Sequence, residues 1–168
     1  MTKLVILSIT LWLLSSCSIF SAPNTLTIDK NTGPIKISSC VKFAQQKVTV
    51  FYERKKSGGG SYKGDVAFSF KPQTLLESGN KESCKSYSNV TFKDILNNTI
   101  ADTGRFKIAI SLKLVIDSNV FHGRGESGFY NSFGDFLSNN IQVARKIALE
   151  LAIKKAMNKA SVASKERK

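Results

Sequence analysis

Three glycines, Gly123, Gly125 and Gly128, stand as G-x-G-x-x-G within "FHGRGESGFYNSFG", residues 121–134. They follow an alternating apolar run and precede a helical pattern. Such an arrangement can cradle a dinucleotide, because glycines let backbone N–H groups approach a pyrophosphate at a helix N-terminus. The cradle also needs a further strand after the helix and an acid at that strand's end. No strand pattern follows the helix here, and Glu150, at about the right distance, falls inside it. The glycines are therefore expected to serve the backbone, letting the chain turn and twist between an edge strand and the C-terminal helix.

Catalytic and metal chemistry find little else to use. His122 is the single histidine, and no serine or cysteine nucleophile motif surrounds it. Asp94, Asp102, Asp117, Glu126 and Asp135 are scattered, without the spacing of a glycosidase pair or a metal site. No C-x-x-C occurs, so the metal-ligand set of a zinc site is missing from the text. The expectation is a non-catalytic protein with no metal and no small-molecule cofactor.

The cysteines have a different use. Lys3 precedes an apolar run from Leu4 to Leu14, about eleven residues long. A membrane-spanning helix needs ~20, so this run reads as the core of a signal peptide covering residues 1–16. It ends in Leu14-Ser15-Ser16-Cys17, which resembles the lipobox of bacterial lipoproteins: an aliphatic residue, two small residues, then cysteine. The resemblance implies that Cys17 is lipidated and becomes the new N-terminus. Ordinary secretory cleavage nearby, for example after Ser18, is the alternative. Ser18 is not aspartate, and by resemblance to that class this favours an outer membrane, the domain facing the periplasm. With Cys17 consumed by lipid, Cys40 and Cys84 remain as one pair, and an oxidising compartment favours bonding them. The loop closed would span about 45 residues, a stabilisation of roughly 3–4 kcal/mol in the chain-entropy model. Two buried free thiols are the other possibility.

Charge bounds the partners. The chain carries 25 Lys and Arg against 12 Asp and Glu, a net +13. Lys3 is the only charged residue in the first sixteen, so the mature chain is close to +12. In an envelope the available polyanions are phosphorylated glycolipids, anionic head groups, acidic wall polymers and other proteins; nucleic acid is a poor fit for an exported chain. The rival reading is plain solubility. Two basic clusters are candidates for anion contact: Arg54, Lys55, Lys56 and Lys63 around Gly58-Gly59-Gly60, and Lys154, Lys155 and Lys159 near the C-terminus.

The elements that must position these residues follow from periodicity. Residues 17–24 form a short tether. "TLTIDKNTGPIKIS" reads as strand, turn, strand, and residues 47–71 as a larger hairpin, with Val48, Val50 and Tyr52 on one face and Val66, Phe68 and Phe70 on one face of the return. Residues 72–90 read as a polar surface loop pinned by Cys84. In "TFKDILNNTIADTGRF", Thr91 and Asp94 suggest a capping box, Phe92, Ile95, Leu96 and Ile100 fall at helical spacing, and Gly104 supplies a stop, which predicts a helix near 92–103. Phe106 to Ile116 alternates as a strand, its other face carrying Lys107, Ala109, Ser111, Lys113 and Val115. A helix follows over about 134–160, capped by Ser132 and Asp135, with Leu137, Ile141, Ala144, Ala148, Leu151, Ala152 and Ala156 as its apolar stripe. Residues 161–168 read as a frayed basic tail.

Asp102-Thr103-Gly104-Arg105-Phe106 and "VARKIALELAIKKAM", with Ala144, Arg145 and Ala148, resemble turns and late helices of the curli-assembly and penicillin-binding-protein-activator lipoproteins. That resemblance spans some 40 residues and implies an envelope-assembly accessory, without assigning functional residues. The expected whole is one α+β domain over residues 25–160, an antiparallel sheet covered on one face by a long C-terminal helix and a shorter one. The expected function is a lipid-anchored, non-catalytic scaffold or adaptor of the bacterial cell envelope, contacting an anionic or protein partner; a small envelope hydrolase is the alternative.

Overall fold

The computed structural model describes residues 35–36, 40–77, 87–132 and 137–165. The signal peptide, Cys17, the tether, Cys84 and Asp135 lie outside these residues, as does most of the first predicted hairpin. In order, the elements are β1 (Ile35–Lys36), β2 (Val41–Phe43), β3 (Val48–Lys55), β4 (Ser61–Phe70), the single-turn helix α1 (Pro72–Leu75), β5 (Leu76–Glu77), β6 (Ser88–Asp102), β7 (Arg105–Ile116), β8 (Asn119–Glu126), β9 (Tyr130–Asn131) and the long helix α2 (Leu137–Lys165).

β7 organises the sheet because its alternation is the cleanest in the chain. Phe106, Ile108, Ile110, Leu112 and Leu114 are all buried on one face, as their period of two requires. β6 runs antiparallel along one edge of β7, and β8 along the other, with β9 pairing its first residues. The far edge of β6 is shared by β2 and β3, both parallel to it, and β4 closes the sheet antiparallel to β3. β1 and β5 form a separate two-stranded parallel pair. The protein is thus α+β: a mostly antiparallel sheet, a long C-terminal helix and one short helix.

The short helix is not where periodicity placed it. Residues 88–102 form β6, and the helical spacing of Phe92, Ile95, Leu96 and Ile100 comes from a β-bulge. The register with β7 slips between Lys93 and Leu96, and Asp94 sits at φ 48°. An extra residue in a strand moves every later side chain to the opposite face. Phe92 and Ile95 therefore both reach the core, three apart, and imitate one turn of helix. Gly104, at φ 71°, serves the β6–β7 hairpin turn rather than ending a helix. Among the described residues the short helix is α1, whose Pro72 and Leu75 are buried together with Leu76 of β5, so this segment reaches the core and is not a surface loop.

Bulges also revise the β3–β4 hairpin. Val50 pairs Phe68 while Phe51 pairs Val66, leaving Ala67 as the extra residue. Phe68 and Phe70 keep their place in the core, but Val66 turns outward and is 48 % exposed.

The 29 residues of α2 span roughly 44 Å. The helix packs on β8, β7 and β9 through Ala144, Ala148, Leu149, Ala152, Ile153 and Ala156. Leu151, expected on that stripe, is 38 % exposed, and α2 continues to Lys165, past residue 160. Gly123 and Gly125 explain the fit. A Cβ on Gly123 would strike the Ala152 carbonyl and come within 3.1 Å of the Ala156 Cβ; one on Gly125 would strike the Ala148 carbonyl and come within 2.5 Å of the Ala152 nitrogen. The two glycines lie inside β8, not in a turn, and let the helix backbone rest on the strand. Gly128 meets nothing within 4 Å.

Candidate functional site

Since Gly123 and Gly125 face α2, their neighbours His122 and Arg124 face the other side of the sheet. Lys113 pairs with His122 across β7–β8, and Ser111 with Arg124. The bulge in β6 adds Asp94 and Leu96 to the same side. Together with Lys159, which reaches in from α2, these residues line a cavity of about 370 Å³. Its lining contains three cations, Lys113, Arg124 and Lys159, against one carboxylate.

That carboxylate is pinned. Asp94 accepts Lys63 Nζ on one oxygen and Lys113 Nζ on the other, each at 2.9 Å. The hydrogen bonds from Lys63 and then Lys113 lower its pKa to about 2, against a slight opposing effect of burial. The left-handed backbone at position 94 aims the carboxylate between the two lysines, a conformation that aspartate tolerates better than most residues. Next to this group, Glu126 accepts Lys107 at 2.9 Å and Arg124 at 3.1 Å. Lys107 first, then Arg124, holds the Glu126 carboxyl below its ordinary range. Lys159 donates to the His122 carbonyl at 2.9 Å and meets no acid among the described residues.

The predicted cations are divided by the fold. Lys63 and Lys159 come to this face. Arg54 is held 2.6 Å from Asp65 and packs over Gly64. Lys55 and Lys56 are exposed at the hairpin tip, where Gly59 and Gly60 take positive φ. Lys154 and Lys155 are exposed on α2. Of the two candidate clusters, Lys63 and Lys159 thus share a face with Lys113 and Arg124, while the other members stand elsewhere on the surface. Lys113 and Arg124 were not singled out as candidates; the signal for Lys113 is its place on the wet face of the β7 alternation. Cys40 Sγ takes part in a disulfide. Cys17 and Cys84 lie outside the described residues, so the pairing with Cys84 is carried forward as a proposal.

On the opposite face α2 buries a second polar group. Arg145 is 2 % exposed; its Nη2 donates to the Tyr52 hydroxyl at 3.1 Å, and its guanidinium lies 5.0 Å from the Phe68 ring centre. Nε and Nη1 find no acceptor among the described residues. Burial pushes the guanidinium below its ordinary pKa, while Tyr52 opposes that shift. A cation over a desolvated ring gains about 2 kcal/mol, whereas each buried unmet donor costs about 1–3 kcal/mol and more on a charged group.

Among the described residues no group of three or more His, Cys, Asp or Glu stands close enough to hold a metal, and no helix is long and apolar enough to cross a membrane. No protein-family model matches the chain, and neither curated proteins nor solved structures yield a match.

Proposed function

We propose that the protein is a lipid-anchored, non-catalytic scaffold or adaptor of the bacterial cell envelope, attached through Cys17 and contacting an anionic partner with the face that carries Lys63, Lys113, Arg124 and Lys159. The observation that supports this reading best is the convergence of these four cations, from β4, β7, β8 and α2, about one cavity, where Lys63 and Lys113 share Asp94, Arg124 is held by Glu126, and Lys159 meets no acid among the described residues. Four separate elements place charge there, which is more than a solvated strand edge requires. The lipobox resemblance supports the anchor, and a short tether would keep the face near the anionic surface that bears the lipid. Disulfide-bonded Cys40 is in keeping with an oxidising compartment, and Cys84 is its proposed partner.

The hydrolase alternative gains nothing from this cavity. Asp94 shares it with His122, but a carboxylate held at about pKa 2 between two lysines is a poor proton acceptor at neutral pH. The test of the adaptor reading is photocrosslinking in cells from position 111, on the basic face, and from exposed position 151 on α2. The reading predicts adducts to anionic envelope material or an acidic partner from 111 and few from 151. Equal yields from both would count against a directed face.

A further inference from the structure

β8 ends the sheet: it pairs with β7 on one side, and its other edge has no strand among the described residues. Alternate residues of an antiparallel strand turn their N–H and C=O groups toward the partner and away from it. The Ser127 N–H bonds the Ile108 carbonyl, so along the unbroken register Gly125 and Gly123 face β7, while Glu126, Arg124, His122 and Val120 face outward. The bond from Lys159 to the His122 carbonyl fits that alternation. Lys159 covers one acceptor, and the outward N–H groups meet no backbone acceptor among the described residues. Exposed edges are ordinarily blunted by bulges, proline or shortness. β4, at the other end of the sheet, is bulged against β3, whereas β8 runs eight residues without a slip or a proline.

α2 flanks that edge. Leu151, Lys155 and Lys159 follow one another at single-turn spacing in a row along the helix. Leu151 lies beside Gly125, where an added Cβ would come within 2.7 Å of the leucine Cβ, and Lys159 lies at His122, so the row follows β8 and Lys155 falls between. Neither lysine is in an ion pair among the described residues. On the other face Val120, His122 and Arg124 are exposed.

We propose that the outer edge of β8, from Val120 to Arg124, takes up an extended acidic segment of a partner protein as an added strand. This rests on the reading of the basic face above and narrows its partner to a peptide. The segment's backbone pairs with the outward groups of β8, its carboxylates on the helix side meet Lys155 and Lys159, and an apolar residue on its other side covers Val120. Glu126 repels acid and ends the site, leaving Leu151 beyond it. A second copy of β8 fits worse, because pairing two such edges sets one lysine row beside the other.

The probe is a fluorescent peptide of β8's length with alternating glutamate and valine, titrated into the full chain in a fixed non-ionic detergent and followed by anisotropy. Binding is expected at low salt, and K155E/K159E weakens it. N-methyl groups on alternate peptide residues keep every charge; in one frame they block pairing and abolish binding, and in the other they spare it. H122P removes an outward N–H without breaking a ladder bond, at an edge position that accepts proline. It loses the peptide far more than it loses anionic vesicles, because all four cations of the face remain. Equal binding of both methylated frames, or peptide binding by H122P equal to the parent's, overturns strand addition. A chain that binds anionic vesicles but no peptide overturns this proposal alone; one that binds neither overturns the function above as well. Self-association of the free chain that is lost in H122P makes a second copy the occupant and overturns the acidic segment. If H122P does not fold, the two methylated frames decide on the wild type.

Discussion

Gly125 of β8 lies directly beneath Ala148 of α2, so close that a single methyl on the glycine would collide with the alanine carbonyl. The glycine spacing that imitates a nucleotide loop is thus the mould for a helix. Gly125→Ala must lift α2 from the sheet or bend β8, and overpacking of this kind costs about 1–3 kcal/mol, with backbone as the obstacle placing it at the upper end. Gly128→Ala, with open space around it, should stay within about 0.5 kcal/mol of the parent. Chemical denaturation of the two variants measures the difference; equal stabilities would contradict the packing described.

Asp94 ties stability to pH in a defined direction. Its folded pKa of about 2 lies below the ordinary 3.8. Its ion pairs therefore contribute fully above about pH 4–5, and that contribution is lost as pH falls through about 2. The carboxylate is 45 % exposed, so screening holds the effect to less than about 1 kcal/mol. D94N keeps a residue that tolerates positive φ and removes the charge, so its acid unfolding limb should be flatter than the parent's. Identical limbs for the two proteins would show that the lysine clamp does not matter.

The same substitution has a functional consequence. Lys63 and Lys113 lose their counter-charge in D94N, and each lysine freed near an anionic surface adds up to about 1 kcal/mol of attraction. Binding of D94N to anionic vesicles should be tighter than that of the parent. Weaker binding would mean that Asp94 itself engages the partner.

The covalent proposals are separable. Cys17→Ser should abolish fatty-acid labelling and release the protein from membranes, because one acyl signal is marginal and none gives no anchor. Mass spectrometry of non-reduced peptides should recover a Cys40–Cys84 crosslink, and Cys84→Ser should cost about 3–4 kcal/mol by the loop-closure account. Continued labelling of the Cys17 variant, or a Cys40 peptide joined elsewhere, would refute the corresponding proposal.

Several features of the fold were legible in the sequence for physical reasons. β7 has no bulge, so its alternation from Phe106 to Leu114 maps onto burial, with only small Ala109 of the other face also buried. Most of the α2 stripe was legible too, although Leu151 was misplaced. β6 was not, because one extra residue at Asp94 converts a period of two into a spacing of three over a single step. The basic face depends on that same bulge, which brings Asp94 between Lys63 and Lys113, residues 31 and 19 positions away. Long-range placement of this kind leaves no local periodicity to read. Arg145 lies beside Ala144 in a pattern that looks merely helical, and its burial follows only from where Phe68 and Tyr52 stand.

The central claim is that Lys113, Arg124 and Lys159 make the face that meets the anionic partner. The most direct measurement is binding of the chain, with Cys17→Ser to remove the lipid, to anionic vesicles, neutral vesicles and isolated wall material at 0.1 M and 1 M salt. Over that range the Debye length shortens from about 10 Å to about 3 Å. The account predicts binding to anionic surfaces at low salt, loss at high salt, and loss at low salt in the K113E/R124E/K159E variant, while reversal of exposed Lys154 and Lys155 has a smaller effect. Equal binding to neutral and anionic surfaces, or a triple variant that binds like the parent, would contradict it.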